Sequence, residues 1–193
     1  MSKLYFRYGA MGSSKTAQAL MIKFNYEQKG FNVLLIKPVI DNRDMIGEKI
    51  VVRSRIGIYA ECKTFTRETN LVEFIKKLNF DANKSVIIVD EAQFCTKKQI
   101  DELHELSVNV PVLCFGLLTN FKTELFEGSK RLVEVAESIQ EIKSVCECGK
   151  KAIFNGRFIN GKLTTSGDEI LIGADESYKG VCYTCFEKFK KCN

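Results

Sequence analysis

The chain has 193 residues, of which 45% are hydrophobic and 27% are charged, and this balance excludes a disordered chain and indicates one folded domain with a small appendage. Its formal net charge of +5 comes from lysines spread along the chain, without a basic stripe interleaved with aromatic residues, so we expect no nucleic-acid partner. The sequence has no apolar run long enough to span a bilayer and no secretory signal, so we expect no membrane partner and a cytoplasmic location.

The first part of the chain predicts one βαβ unit. A strand-like segment at Leu4–Tyr8 is followed by a glycine-containing turn and a helix over residues 15–29, which Gly30 ends as a C-terminal cap. The continuous apolar run at residues 31–36 is typical of a buried parallel strand. The apolar residues that recur at helical spacing in the helix are Ala17, Leu20, Met21 and Phe24.

The alternation of helices and buried strands continues further along the chain. Residues 41–59 are polar and predict a loop with short strands, and the glycine-containing stretch 155–177 predicts a small hairpin-and-loop unit. Alternating strands and helices are typical of an α/β fold, a parallel sheet with helices on both faces. The predicted helices cover residues 71–78, 97–106 and 129–139, and the predicted strands cover residues 85–89, 111–115 and 142–145.

A near match to a phosphate-binding loop lies at residues 9–16, between the first predicted strand and the helix. The pattern G-x-x-x-x-G-K-[ST] places backbone N–H groups and a helix N-terminus around phosphate oxygens, with Lys15 on the β- and γ-phosphates and the Thr16 hydroxyl on Mg²⁺. Ser14 stands where the pattern has its second glycine, and if that position needs a positive φ, serine costs about 1–2 kcal/mol there. An ordinary Gly/Ser turn is the alternative. The candidate ATP contacts in the loop are Gly9, Ala10, Met11, Gly12, Ser13, Ser14, Lys15 and Thr16.

Two carboxylates, Asp90 and Glu91, directly follow the buried strand predicted at residues 85–89. Because ligands of parallel sheets bind beyond the C-terminal ends of the strands, these side chains and the loop at residues 9–16 can face one crevice. Asp90 is then placed to hold Mg²⁺, and Glu91 is free to act as a base on an acceptor hydroxyl. An NTPase would use the same position to orient water, and a solvated strand end is a further alternative.

Eight cysteines and a single histidine occur in the chain, and four of the cysteines form two close pairs. In a cytosolic chain, two such pairs indicate a closed, tetrahedral, structural zinc site rather than disulfides. A redox pair is the alternative, but one C-x-x-C would suffice for it. The candidate zinc ligands are Cys146, Cys148, Cys182 and Cys185.

With these features in this order, the chain resembles the type II thymidine kinase family over almost its whole length. The segments that carry the resemblance are GAMGSSKT at 9–16, KPVIDNR at 37–43, SRIG at 54–57, DEAQF at 90–94, CFGLLTNFKTELFEGS at 114–129, EILIGADESY at 169–178 and the two cysteine pairs. The resemblance implies a kinase that uses ATP to convert thymidine, and also deoxyuridine, to the 5′-monophosphate in pyrimidine salvage for DNA synthesis. It also implies a P-loop-type α/β domain at residues 1–143 and a small C-terminal zinc-binding lasso domain at residues 144–193, with a loop that covers the substrate.

The resemblance assigns roles to individual residues as well. It makes Glu91 the general base and places Lys15 and Arg55 to meet phosphate charge. The implied ATP and magnesium contacts beyond the loop are Asp90, Glu91, Ala92 and Gln93. The implied substrate contacts are Met11, Leu117, Phe121, Phe126, Ile170, Leu171, Ile172, Gly173 and Tyr178. A homotetramer and inhibition by thymidine triphosphate are also implied.

Three other functions fit parts of the pattern. A P-loop ATPase would hydrolyse ATP without a nucleoside acceptor. A zinc-ribbon module fused to an ATP-binding domain would bind nucleic acid, but the stretch around Asp168 and Asp175 is acidic, which disfavours contacts to a phosphate backbone. A kinase of the same architecture for another nucleoside is the alternative that the sequence separates least well.

Overall fold

The computed structural model of the protein describes residues 3–39, 45–46, 49–78, 80, 83–167 and 178–191. Its strands, in chain order, are β1 (Leu4–Tyr8), β2 (Asn32–Pro38), β3 (Met45–Ile46), β4 (Lys49–Arg53), β5 (Tyr59–Glu61), β6 (Lys63–Phe65), β7 (Ser85–Val89), β8 (Val112–Gly116), β9 (Ser138–Glu141), β10 (Ser144–Val145), β11 (Lys151–Ala152), β12 (Phe154–Ile159), β13 (Lys162–Thr164) and β14 (Tyr178–Val181). Its helices are α1 (Lys15–Gln28), α2 (Leu71–Lys77), α3 (Lys97–Leu106), α4 (Glu127–Val135) and α5 (Tyr183–Lys191), with a 3-10 turn at Ala92–Phe94.

Six of these strands form a central sheet in the order β6-β2-β7-β8-β1-β9, and every neighbouring pair in it is parallel. Successive residues of β7 and β8 belong to two separate hydrophobic clusters, one on each face of the sheet. On one face the cluster includes Ala19 and Leu20 of α1. On the other it includes Ile75 of α2, Ile100 of α3 and Leu132 of α4. The predicted α/β fold, a parallel sheet with helices on both faces, is confirmed.

The predictions for the first βαβ unit are largely confirmed. The helix α1 ends one residue before the predicted position, and Gly30 follows it with a φ of +72°, the left-handed conformation that glycine adopts at helix C-termini. Ala17 and Leu20 are buried, but Met21 and Phe24 are exposed. Helical spacing therefore located the helix correctly, but it did not define which of the apolar residues face the sheet.

Two neighbouring predictions are wrong. The helix predicted over residues 129–139 ends at Val135, and β9 follows it at the edge of the central sheet. The strand predicted over residues 142–145 is reduced to β10, which lies outside that sheet. The cause is tertiary: the Glu137 N–H donates to the Leu4 carbonyl, and the Glu137 carboxylate accepts from the Leu4 N–H at 2.7 Å. Pairing with β1 thus overrides the helical pattern of the segment.

The remaining segments form small antiparallel units. β3 pairs with β4, in agreement with the short strands predicted within residues 41–59, and β4 also pairs with β5. Near the C-terminus, β12 lies between β13 and β14, and its hairpin with β13 agrees with the hairpin unit predicted at residues 155–177. The pairing of β10 with β11 and the helix α5 were not predicted. The division into domains at residue 143 stays a prediction. Among the described helices, none has both the length and the apolar character needed to cross a membrane.

Candidate functional site

The loop between β1 and α1 wraps around the side chain of Lys15. Its Nζ donates to the carbonyl oxygens of Gly9 and Ala10 at 3.1 and 3.0 Å. Burial lowers the pKa of Lys15, while the nearby carboxylates of Glu91 and Asp90 act in the opposite direction. The loop therefore holds a buried cation at the N-terminus of α1, where the helix dipole and free N–H groups also favour anionic phosphate groups.

Ser14 is the strained residue of this loop. It precedes α1 with φ of 64° and ψ of 22°, which is the left-handed conformation. Gly12 also has a positive φ, +77°, and bears it without a steric penalty. The sequence predicts strain at Ser14 only if this position has a positive φ, and the structure shows such a φ.

Replacing Ser14 with glycine is expected to stabilise the protein slightly. Relief of about 1–2 kcal/mol of backbone strain exceeds the roughly 0.5–1 kcal/mol of chain entropy that glycine loses on folding. The Ser14 side chain makes no capping hydrogen bond that the change would remove. A net gain of about 0.5–1 kcal/mol should raise Tm by roughly 1–4 °C in scanning calorimetry. The opposite type of change at the other position with a positive φ, Gly12→Ser, should lower Tm. A lower Tm for Ser14→Gly would contradict the assignment of strain.

Asp90 lies beside the start of α1. Thr16 Oγ1 donates to Asp90 Oδ2 at 3.1 Å, which joins the loop after β1 to the end of β7. Asp90 is only 4% exposed, and burial together with the neighbouring charge of Glu91 raises its pKa to about 7. A hydroxyl and a carboxylate that meet in this way are oxygen ligands of the kind that Mg²⁺ takes. Thr16 and Asp90 could therefore hold that ion.

The carboxylate of Glu91 is held by a neighbouring amide. Gln93 Nε2 donates to Glu91 Oε2 at 2.5 Å, and Gln93 Oε1 accepts from the Leu117 N–H at 3.0 Å. A Cβ on Gly116 would lie 2.6 Å from Gln93 Oε1, so close packing against β8 fixes this amide in place. Glu91 itself has φ of 54° and ψ of 36°, a left-handed conformation of the kind that costs about 1–3 kcal/mol and concentrates at functional sites. An oriented carboxylate in this position can take a proton from a hydroxyl.

Two further predicted phosphate and ATP contacts, Arg55 and Ala92, differ in their exposure to solvent. Arg55 is exposed in a turn where the Gly57 N–H donates to the Ser54 carbonyl. Its charge contributes to lowering the pKa of Lys15, so it lies within electrostatic reach of the phosphate loop. Ala92 is fully buried in the core on the side of α3 and α4.

The segment after β8 carries the predicted apolar contacts. Phe121 is 1% exposed, and the Arg157 guanidinium lies over its ring with Cζ 4.9 Å from the ring centroid. Phe126 packs edge to face on Phe94, with ring centroids 5.5 Å apart. Leu117 is also buried. This segment starts at the C-terminal end of β8, the same edge of the sheet at which Asp90 and Glu91 follow β7.

The remaining predicted substrate contacts belong to the C-terminal part. Tyr178 begins β14, where it is half-buried and faces Arg157 of β12 in the strand register. The other four lie outside the described residues and are Ile170, Leu171, Ile172 and Gly173.

β12 contributes two contacts that the sequence did not reveal. The Asn155 side chain accepts from the Met11 N–H at 2.8 Å and donates to the Thr119 carbonyl at 2.7 Å. Arg157 lies two residues further on the same face of the strand and covers Phe121. The sequence signal for this site is an asparagine inside a segment rich in β-forming residues. Asparagine is disfavoured in strands, so its presence there indicates a specific contact.

The four predicted zinc ligands form one cluster. The Sγ atoms of Cys146, Cys148, Cys182 and Cys185 all lie within 4.8 Å of one another, and those of Cys148 and Cys182 are 3.5 Å apart. Four thiolates bound tetrahedrally at Zn–S distances near 2.3 Å would be about 3.8 Å apart, so the cluster fits structural zinc. The Cys185 N–H donates to Cys182 Sγ at 3.4 Å and lowers the pKa of that thiol to about 7, which favours the thiolate that a metal needs.

The cysteine cluster is packed against the phosphate loop. Ala10 belongs to the same hydrophobic cluster as Cys146 and Cys182. A Cβ on Gly180 would lie 2.7 Å from the carbonyl oxygen of Met11, so β14 approaches the loop closely. The C-terminal part therefore supports two consecutive residues of the loop.

Comparison with known proteins gives a consistent result. The family described as thymidine kinase matches residues 2–186. A thymidine kinase of Lactiplantibacillus plantarum is 42% identical over 185 residues, which cover 94% of this chain and 94% of that protein. A thymidine kinase of Mannheimia succiniciproducens is 41% identical over 191 residues, covering 97% and 96%. A thymidine kinase of Aliivibrio fischeri is 40% identical over 185 residues, covering 94% and 95%.

Proposed function

This chain belongs to the thymidine kinase family, and we propose that it transfers the γ-phosphate of ATP to the 5′-hydroxyl of thymidine, and also of deoxyuridine, to give the 5′-monophosphate. Family membership supports the substrate. The reaction type is carried by the hydrogen bond from Thr16 to Asp90, beside Glu91, because it unites a phosphate loop with two carboxylates at one edge of the sheet. The product supplies thymidylate for DNA synthesis by salvage.

ATP lies with its phosphates on the backbone N–H groups of residues 9–16. The Thr16 hydroxyl and the Asp90 carboxylate would hold Mg²⁺, which would supply positive charge to the phosphate oxygens during transfer. Burial and the neighbouring charge of Glu91 raise the pKa of Asp90, and a cation bound at this carboxylate would favour its ionised form. Lys15 would meet the β- and γ-phosphates, and Arg55, whose charge acts on Lys15, would add charge at the transferred group.

Glu91 takes the proton of the 5′-hydroxyl as that oxygen bonds to the γ-phosphorus, while the bond from the γ-phosphorus to the β–γ bridging oxygen breaks and ADP leaves. The Gln93 amide, held on β8, keeps the Glu91 carboxylate in one orientation. The neighbouring carboxylate of Asp90 would bind the metal, which leaves Glu91 free for the proton. Ala92 and Gln93 complete the turn that positions the two carboxylates after β7.

The nucleoside occupies the space next to the segment after β8. Phe121 contacts the base, with Leu117, Phe126 and Met11 as further apolar contacts, and Arg157 supports the far side of the Phe121 ring. The nucleoside is covered by Tyr178 and by four residues of the predicted lasso, Ile170, Leu171, Ile172 and Gly173. Backbone groups that read the pyrimidine edge would leave an unpaired polar group with the wrong base, which costs about 1–3 kcal/mol.

The four cysteines would hold structural zinc, which would stabilise the part of the chain that carries these contacts. The ion would fix residues on both sides of the predicted lasso, and thereby the C-terminal strands and cluster that contact Ala10 and Met11. The family membership further leads us to propose a cytoplasmic homotetramer that is inhibited by thymidine triphosphate.

A nucleoside panel tests the substrate assignment. The purified protein with ATP and Mg²⁺ should phosphorylate thymidine and deoxyuridine and leave deoxycytidine, deoxyadenosine and deoxyguanosine unchanged. The Lys15→Met variant, which removes the cation of the loop, gives the background from contaminating kinases. Preference for another nucleoside would replace the substrate assignment, and ATP hydrolysis without phosphorylation of any nucleoside would reject the kinase.

A further inference from the structure

Asn155 connects two segments that the proposed reaction brings together. Its Oδ1 accepts from the N–H of Met11 in the phosphate loop, and its Nδ2 donates to the carbonyl of Thr119 in the segment that carries Phe121. The two partners lie 144 and 36 positions away in sequence. Asn155 is 3% exposed, so both ends of its amide make directional contacts away from bulk water, where such bonds are strong and costly to break.

Further contacts hold both segments on the same pair of strands. Gly180 of β14 is the register partner of Asn155 and lies directly against the Met11 carbonyl. Both the N–H and the C=O of Met11 therefore face the β12–β14 pair. On the other side, Arg157 of β12 covers the ring of Phe121. β12 is thus in contact with the phosphate loop and with the proposed base-binding segment through separate side chains.

We propose that Asn155 couples the two substrate sites, so that bound thymidine raises the affinity for ATP and bound ATP raises the affinity for thymidine. The inference rests on the proposed function, because it takes Phe121 as a base contact. A nucleoside against Phe121 fixes the segment that includes Thr119, and the Asn155 amide passes this restraint to the Met11 N–H. The second ligand then finds its site already ordered and binds at a lower entropic cost. Linkage makes the effect equal in both directions.

Calorimetric titration of the full chain with adenylyl imidodiphosphate and Mg²⁺ measures this coupling. The dissociation constant is determined with and without saturating thymidine, and the ratio of the two values is the coupling factor. We expect a factor of about five or more for the wild-type protein, the usual lower range for coupled sites. For Asn155→Ser, whose short hydroxyl cannot reach both partners, the factor should fall close to one. A wild-type factor of one, or an unchanged factor in the variant, would overturn the proposal.

Two further variants separate coupling from loss of structure. Asn160→Ser makes the same change in the exposed turn after β12 and should keep the wild-type factor. Gly180→Ala presses on the Met11 carbonyl from the neighbouring strand and leaves Asn155 intact, so it should also lower the factor. It serves as the test if Asn155→Ser folds poorly. A purely structural role for Asn155 would lower Tm without changing the ratio, and that result would contradict the inference.

Thymidine binding and product formation by the wild-type protein are measured first. Absence of both rejects the proposed function and, with it, the coupling. Binding and phosphorylation of thymidine, together with a wild-type factor of one or an unchanged factor in Asn155→Ser, rejects the coupling alone.

Discussion

The Glu91→Gln variant is expected to phosphorylate thymidine about 10²–10⁴-fold more slowly than the wild-type protein, while its affinity for ATP stays largely intact. Glutamine keeps the size of the side chain and can still accept the hydrogen bond from Gln93, so the strained turn after β7 is preserved. What is lost is a base able to take the proton of the 5′-hydroxyl. The turnover number at saturating thymidine and ATP measures this loss, and calorimetric titration with an ATP analogue measures the retained affinity.

A matched control is available on the surface of the same part of the fold. Glu105 of α3 is exposed, and Glu105→Gln removes one negative charge without touching the site. It should keep the wild-type turnover. Near-normal turnover in Glu91→Gln would remove Glu91 from the role of general base and would direct attention to Asp90 instead.

The Cys182→Ser variant is expected to lose its zinc and the folded state of the C-terminal part. Cys182 Sγ lies 3.5 Å from Cys148 Sγ and accepts the Cys185 N–H, so it is at the centre of the proposed ligand set. Binding of structural zinc contributes about 10–16 kcal/mol in small zinc-dependent units, which is as large as the whole stability of a typical domain. Because Ala10 packs in the same cluster, kinase activity should be lost together with the metal.

Zinc content by mass spectrometry and backbone order by hydrogen exchange measure the two effects. The wild-type protein should contain one zinc per chain, and Cys182→Ser close to none. Cys62→Ser serves as the control, because Cys62 lies outside the cluster and a serine hydroxyl can replace its contact with the Ile50 carbonyl. Full zinc content in Cys182→Ser would contradict the ligand set.

Two strained residues lie next to the proposed chemistry. Ser14 and Glu91 both adopt the left-handed conformation although neither is glycine. Glu91 is stabilised in it by the Gln93 amide, which accepts a hydrogen bond from Leu117 directly after β8. Ser14 has no side-chain cap of this kind. We therefore expect the backbone strain at Glu91 to serve the proposed reaction. The strain at Ser14 can be relieved without loss of a side-chain contact, as the Ser14→Gly prediction states.

The sequence predicted the fold well wherever local pattern and tertiary environment agree. The strand at Ser85–Val89 is buried at every position and apolar at each position after Ser85, so its ends and the carboxylates after it were correctly located. The segment around Val135 shows the opposite case. Its helical pattern continues past the point at which Glu137 bonds to Leu4, and that contact spans 133 positions that no local pattern reports.

The same distinction applies to the site. The phosphate loop and the cysteine pairs are contiguous motifs, so their members could be identified one by one, and the structure brings the four thiols together as expected. Asn155 and Arg157 belong to no motif. Their importance follows from contacts to Met11, Thr119 and Phe121 that exist only once the C-terminal strands dock on the loop.

The fate of a labelled phosphate tests the kinase assignment in one experiment. The purified wild-type protein is incubated with ATP labelled at the γ-phosphate, Mg²⁺ and thymidine, and the products are separated. Glu91 is proposed to act on the nucleoside hydroxyl under a lasso that excludes water, so the label should appear in thymidine 5′-monophosphate and only in traces as inorganic phosphate. Label released as inorganic phosphate, with none on thymidine, would show an ATPase and contradict the proposed reaction.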